Sequence, residues 1–451
     1  MVLGVYFVCP RRFRNGVLLA ASLVFYAWGE PEFVWFMLLS IAQGYGFGLL
    51  TERWKNDPKR KNLPLAASLC ISLGLLGWCK YAGFFAQNLR QLTGWDIPVI
   101  RVALPIGISF YTFQIISYVV DVWRGTVPAQ KNLIDLAAYI AMFPQLIAGP
   151  IVRYADVREQ LSTRRTTGQD LAAGLSRFVA GLSKKVLLAN TLYALVTQFK
   201  AAEQRTVLFC WLYAAAYVLH LYFDFSGYSD MALGLGLLFG VQLPENFRHP
   251  YCAGSVTEFW RRWHMTLSGW FRDYVYIPLG GSRNGRARTV FNKLLVFLAT
   301  GLWHGTGWTF VLWGLWHGVF CGAETLLNRK HTLQTRWYGH MYTLLVVIFG
   351  FVLFRAESLP QALMLLRTML SGFTPVDACR LALRNLLTAG TVFWCLAGVL
   401  ACLPLWEHAK ARFDGSRWFS PALDALTIVG LLLCLMQLAS HSFQPFIYAS
   451  F

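Results

Sequence analysis

The chain has 451 residues, 56% of them hydrophobic, 16% aromatic and only 14% charged, with a net charge of +18. Soluble domains average roughly 25% charged residues, and a soluble chain of this length would divide into about three domains; here the apolar residues instead form runs such as Thr206–Tyr222, Leu387–Leu405 and Leu423–Leu438. Spans near 20 residues match a hydrocarbon core of about 30 Å, which excludes a disulfide-built secreted scaffold, a disordered chain and an outer-membrane barrel of short alternating segments. The basic residues lie in short connections between apolar runs, so they report the cytoplasmic side of a membrane and imply no nucleic-acid partner. Ten cysteines are scattered singly without a C-x-x-C pair, and neither a metal site nor a disulfide framework is implied.

In chain order, Met1–Val8 is apolar but too short for a cleavable leader and reads as the tail of a membrane segment. Basic clusters follow at Arg11, Arg12 and Arg14 and again from Arg53 to Lys61, with Gly16–Gly29 and Phe33–Leu50 between them. Two crossings return the chain to the same side, so both clusters can be cytoplasmic. Further predicted spans are Leu63–Phe85, Ile106–Val122, Leu133–Ile151, Leu171–Val196, Thr206–Tyr222, Ser229–Val241, Phe291–Trp303, Trp308–Leu326, Tyr342–Phe354, Leu387–Leu405 and Leu423–Ser440. The expectation is an all-α polytopic membrane protein with about 11–13 membrane helices plus re-entrant or interfacial ones. No repeat of 20–50 residues is visible, which disfavours solenoids and repeat-built transporters.

Two regions resist a simple crossing. In Met142–Arg153, Pro144 and Gly149-Pro150 interrupt the helix, and irregular backbone at that depth requires burial in protein or a wet cavity. Glu245–Lys293 carries eight Lys/Arg and three Asp/Glu, too many charges to cross. Within it, Thr257–Tyr274 is predicted as one interfacial helix capped by Thr257. Its spacing puts Trp260, Trp263, Leu267, Trp270, Phe271 and Tyr274 on one face and Glu258, Arg261, Arg262, Arg272 and Asp273 on the other. His264 falls at the edge of the aromatic face, where the residues alone favour a satisfied interfacial histidine with the arginines facing lipid head groups.

Gly301–Gly318 holds two Trp-His-Gly triplets, Trp303-His304-Gly305 and Trp316-His317-Gly318. His304 ends a charge-free apolar run, and an ionisable group at that depth is a functional candidate. In one straight helix His304 and His317 would point about 140° apart; Gly305 and Gly307 are expected to break the helix between them. A buried neutral imidazole can accept a proton near neutral pH, although a helix–helix hydrogen bond would also explain each histidine. Asp224, Ser226, Asp230, Gln114 and Asp121 are further polar groups in apolar runs, and helix pinning is favoured over a cation or proton site. The chain lacks G-x-x-x-x-G-K-[ST], H-E-x-x-H and G-x-S-x-G, so it offers histidine bases but no nucleophile of its own.

These stretches resemble the membrane-bound O-acyltransferase family, and within it the bacterial branch that serves alginate, peptidoglycan and cellulose O-acetylation. The matching segments are FYAWGEP (25–31), ALPIGISFYTFQIISYVVDVWRG (103–125), FPQLIAGPIVRY (143–154), YFDFSGYSDMALGLG (222–236), NFRHPY (246–251), FWRRWHMTLSGWFRDYVYIPLGG (259–281) and GLWHGTGWTFVLWGLWHG (301–318). Beyond about residue 320 only apolar helices match, and at the start most of a first helix is lacking. The resemblance implies a single transmembrane domain over 1–451, with a motif-bearing core at about 100–320, C-terminal helices over 340–451, and cytoplasmic and outer funnels meeting at a buried histidine. By motif that histidine is His304, and the second family position, about forty residues upstream, is His264.

The resemblance further implies acetyl transfer from a cytoplasmic thioester, acetyl-CoA, across the bacterial inner membrane. A separate extracytoplasmic acetyltransferase would deliver the group to a polysaccharide such as alginate, alongside the polysaccharide machinery. In that scheme His304 is the base and His264 orients or stabilises. Arg261, Arg262 and Arg272 could meet the coenzyme's phosphates or lipid head groups, and Trp260, Trp303, Trp308 and His317 are candidate substrate contacts. No bound cofactor or metal is expected. Two alternatives stand beside it: a carrier or channel exporting an acylated lipid or glycan with the histidines as a proton relay, and a catalytically silent scaffold for a polysaccharide synthase.

Overall fold

A computed structural model describes residues 1–98, 102–201, 206–327, 332–371, 386–413, 415–440 and 446, so residues 372–385, 414, 441–445 and 447–451 of the C-terminal stretch lie outside the described residues. Among these, twenty α-helices and no strand occur. The first eight are α1 (Val2–Val8), α2 (Arg14–Gly29), α3 (Val34–Arg53), α4 (Leu63–Thr93), α5 (Ile108–Arg124), α6 (Leu133–Ala141), α7 (Phe143–Leu146) and α8 (Tyr154–Thr163). Then come α9 (Gly168–Ser183), α10 (Asn190–Ala201), α11 (Val207–Leu238), α12 (Val256–Arg262), α13 (Met265–Phe271), α14 (Gly285–His304), α15 (Trp308–Leu327) and α16 (Trp337–Arg355). The last four are α17 (Leu359–Leu370), α18 (Ala389–Ala401), α19 (Leu405–Phe413) and α20 (Phe419–Ser440).

Seven stretches among the described residues are long and apolar enough to cross a membrane: Pro31–Arg53, Leu63–Thr93, Gly168–Phe199, Val207–Leu238, Trp308–Leu327, Trp337–Arg355 and Phe419–Ser440. An eighth arises if α18 and α19, bent by 63°, form one span. The protein is a multi-pass, all-helical membrane protein, and the expected 11–13 segments therefore include shorter helices. Two expected spans, Thr206–Tyr222 and Ser229–Val241, are one continuous helix, α11. Gly227 does not break it. A Cβ there would lie 2.9 Å from the Gly181 carbonyl oxygen, so the glycine instead permits a backbone-to-backbone helix contact.

The chain forms two compact units, residues 1–175 with 232–244, and residues 176–231 with 245–451. In the first, α5 is buried along most of its length and packs with α3, where Gly44 and Gly48 face Ile115 and Tyr118. Gln114 and Asp121 are buried on α5. The interrupted stretch after α6 is buried in protein, as its irregular backbone requires. The Tyr139 hydroxyl donates to the Val152 carbonyl at 2.8 Å, and Gln145 Nε2 donates to the Tyr139 carbonyl at 2.8 Å.

In the second unit, Phe223, Phe259, Trp260, Trp263, Trp313 and Phe351 build an aromatic core. Lys184 and Lys185 begin a π-helical segment, Lys184–Ala189, and reach α11: Lys184 Nζ lies 2.6 Å from Asp230, and Lys185 pairs with Asp224. Arg177 bridges Asp230 and Glu245. The acidic groups of α11 thus pin helices, as expected.

Candidate active site

Glycines fix the hairpin that carries the two Trp-His-Gly triplets. A Cβ on Gly301 would fall 2.3 Å from the Phe310 carbonyl oxygen, and one on Gly314 would fall 2.4 Å from that of Phe297. Gly318 and Gly322 continue the seam against Leu294 and Val290, a register that runs α14 and α15 antiparallel at backbone contact. The chain reverses through Gly305, where a Cβ would collide with the Phe310 ring. The expected break between the histidines therefore exists, and the hairpin brings them together. The imidazole of His304 lies 5.1 Å, and that of His317 5.3 Å, between ring centroids from Trp313.

His304 also packs on Trp303 at 4.8 Å and on Phe354 at 5.3 Å. His317 is sealed among Trp260, Trp313 and Phe297, and neither of its ring nitrogens has a hydrogen-bond partner. A neutral imidazole always carries one N–H, and leaving such a donor unsatisfied costs about 1–3 kcal/mol.

The predicted single helix over 257–274 is two seven-residue helices, α12 and α13, broken at Trp263-His264. Its cap is Ser255, whose hydroxyl accepts from the Glu258 N–H at 3.1 Å, and not Thr257. The break has a long-range cause. The Arg248 N–H donates to the Arg262 carbonyl at 2.9 Å, and the Met265 N–H to the Asn246 carbonyl at 2.9 Å, which competes with helical bonding. His264 takes a left-handed φ of +43° at the break, one of two non-glycine residues with positive φ among those described. Such geometry costs of order 1–3 kcal/mol and persists where surroundings enforce it. His264 sits 4.7 Å from Phe225 and 6.2 Å from Trp303, so Trp303 contacts both His264 and His304. Burial pushes the His264 imidazole down to about 3, keeping it neutral at physiological pH.

A cavity of 640 Å³ opens beside this cluster. Arg261, Arg272, Arg286 and Lys293 line it, with hydroxyls from Ser268, Thr289 and Thr300 and the carboxylate of Glu324. Trp260 belongs to both the cavity wall and the histidine cluster, 5.5 Å from Trp313 and 5.0 Å from His317. Arg261 and Arg272 line the cavity, but Arg262 does not: it pairs with Glu258, one helical turn earlier on the same face of α12, and approaches the His249 carbonyl. Trp308 opens α15 and is 56% exposed, outside the cavity lining.

Several contributors escaped the sequence reading. Arg286 and Lys293 complete the cationic wall, and Trp313 joins His304 to His317. Glu324 is buried, and its two oxygens accept from the Val256 and Thr257 N–H groups at 2.6 and 2.8 Å, anchoring the start of α12. A lone carboxylate in the apolar run of α15 was the available signal. Asn246 is also buried and binds the break directly.

The family model for membrane-bound O-acyltransferases matches residues 126–366, which includes the whole hairpin and both broken-helix elements. This chain belongs to the membrane-bound O-acyltransferase family. It is an O-acyltransferase of the alginate O-acetylase-like branch. A probable alginate O-acetylase of Azotobacter vinelandii is 38% identical over 100% of this chain and 97% of its own length. A second, from Pseudomonas putida, is 39% identical with the same coverage of both chains. A peptidoglycan O-acetyltransferase of Helicobacter pylori is 35% identical over 84% of this chain and 78% of its own.

Proposed function

We propose that this acyltransferase takes an acetyl group from cytoplasmic acetyl-CoA and passes it across the inner membrane for O-acetylation of a secreted polysaccharide, alginate being favoured by its relatives' names. An extracytoplasmic acetyltransferase would receive the group before the polymer does. The observation that carries the chemistry is a shared wall: Trp260 lines the cationic cavity and packs against the cluster holding His304 and His317. Four cations suit a donor carrying phosphates. The neighbouring aromatic cage would exclude water from a thioester.

In this scheme His304 is the general base. It takes the proton from an acceptor hydroxyl as the oxygen attacks the thioester carbonyl. The carbon–sulfur bond then breaks, and the departing thiolate recovers the proton, leaving an ester and free coenzyme A. His264 is the positioning partner, since Trp303 touches both rings. In the alternative carrier reading the relay would rest on the histidines alone, since Asp224 and Asp230 are held by Lys185, Lys184 and Arg177. The test is acetyl transfer from radiolabelled acetyl-CoA by inverted membrane vesicles. Transfer that needs His304 supports the scheme, and equal labelling by a His304→Ala protein at matched level overturns it.

A further inference from the structure

Asn246 makes several hydrogen bonds to the helix break. Its backbone carbonyl accepts from the Met265 N–H at 2.9 Å, and its side-chain Oδ1 from the Thr266 N–H at 3.3 Å and the Thr266 hydroxyl at 2.9 Å. Nδ2 donates to Ser229 Oγ at 3.1 Å. A backbone N–H can only donate, so the contact with Thr266 identifies Oδ1 as the acceptor end of the amide. His264 Nδ1 lies 3.1 Å from that same Oδ1 and must therefore carry the proton. Nε2 is then the bare nitrogen, and it is buried without a partner.

We infer that Asn246 is a positioning residue that holds His264 in the Nδ1–H tautomer, so that Nε2 presents a lone pair toward the aromatic cluster as a hydrogen-bond acceptor. The consequence reaches past the proposed function while resting on it. A neutral His264 in this tautomer cannot donate to a developing oxyanion. It can only accept, from the attacking hydroxyl or from another N–H. Oxyanion stabilisation then falls to some other donor, and His264 serves the proton side of the reaction. Asn246 also ties two strained features together, because the bonds that fix the tautomer are those that hold His264 at positive φ.

The test reads the tautomer directly. The full-length protein, ¹⁵N-labelled at histidine and reconstituted in lipid, is compared with its His264→Gln variant by nitrogen NMR to assign the His264 signals. The expected spectrum shows a protonated Nδ1 and a bare Nε2 near neutral pH. Asn246→Leu should abolish that pattern and lower acetyl transfer roughly 10–100-fold, the scale seen when orienting partners of ligating histidines are removed. Asn246→Asp keeps an oxygen acceptor in place, and should restore the Nδ1–H signal and part of the activity. A wild-type His264 protonated at Nε2 overturns the inference, whether or not the leucine variant folds. A folded Asn246→Leu protein with an unchanged His264 spectrum overturns it too. Because the spectrum does not depend on turnover, its outcome is separate from whether the acyl-transfer scheme holds.

Discussion

The acidic ladder of α11 and the histidine cluster at the α14–α15 hairpin are both enclosed by the same unit, yet they are furnished in opposite ways. Along α11 the two carboxylates are matched: Asp224 with Lys185, and Asp230 with Lys184 and Arg177. Around the hairpin, His317 and the Nε2 of His264 have apolar or aromatic neighbours and no hydrogen-bond partner. A buried charge pair is costly to break by removing one partner, whereas an unsatisfied nitrogen carries a standing penalty. On the proposed function, the contrast would separate polar groups that hold the helices from histidines that meet a substrate.

The sharpest way to break this contrast is His304→Ala. Loss of a general base lowers rates by roughly 10²–10⁴-fold, so acetyl content of the polymer should collapse while the membrane level of protein stays normal. Normal acetylation by that variant would remove the chemistry from the hairpin. The ladder should answer in the other currency. Lys185→Met removes the cation paired with buried Asp224 and should destabilise by about 3–5 kcal/mol, read as a lower unfolding midpoint in detergent. Adding Asp224→Leu should recover most of that loss, and activity per folded molecule should follow. A fully stable but inactive Lys185→Met protein would move the ladder into the catalytic class.

Next in size, His264→Ala should remove much of the transfer rate and His317→Ala considerably less, measured as initial rates in vesicles of equal protein content. The reverse order would exchange the two partner roles. Smaller still, Arg261→Ala and Arg286→Ala should each raise KM for acetyl-CoA roughly two- to fivefold with kcat unchanged, the scale of an exposed ion pair. A fall in kcat instead would place these arginines at the reacting group. Sidedness completes the set. A single cysteine in the Gly280–Ala287 loop of a cysteine-free chain should be labelled by an impermeant thiol reagent in inverted vesicles and spared in spheroplasts. Labelling in spheroplasts would put the cationic cavity on the wrong side for a cytoplasmic donor.

Much of this was legible in the chain itself. Run length located α2, α3, α16 and α20 to within a few residues, because partition into lipid depends on local composition. The helix break at Gly305 between the two Trp-His-Gly triplets was likewise readable. What failed did so for two physical reasons. Thr206–Tyr222 and Ser229–Val241 read as two spans, but Gly227 between them does not end the helix: the missing side chain marks where another backbone approaches, here at Gly181. The continuous helix over 257–274 had the right aromatic face, yet periodicity cannot register hydrogen bonds arriving from Asn246, eighteen residues before His264. The role of Glu324 was missed for the same reason, since it depends on contacts with Val256 and Thr257, far away in sequence.

The glycine seam of the hairpin also bears on how the protein is made. α14 carries Arg286, Arg288 and Lys293 in its first turns and is absent from the seven stretches that qualify as spans by composition, whereas its partner α15 is among them. By composition α14 is thus the less lipid-soluble member of the pair. Backbone contact through Gly301, Gly314 and Gly318 holds it against α15. A methyl group added at Gly314 would thus act during biogenesis as well as in the finished molecule. Helices would enter the bilayer in normal number, while the segment bearing His304 failed to dock.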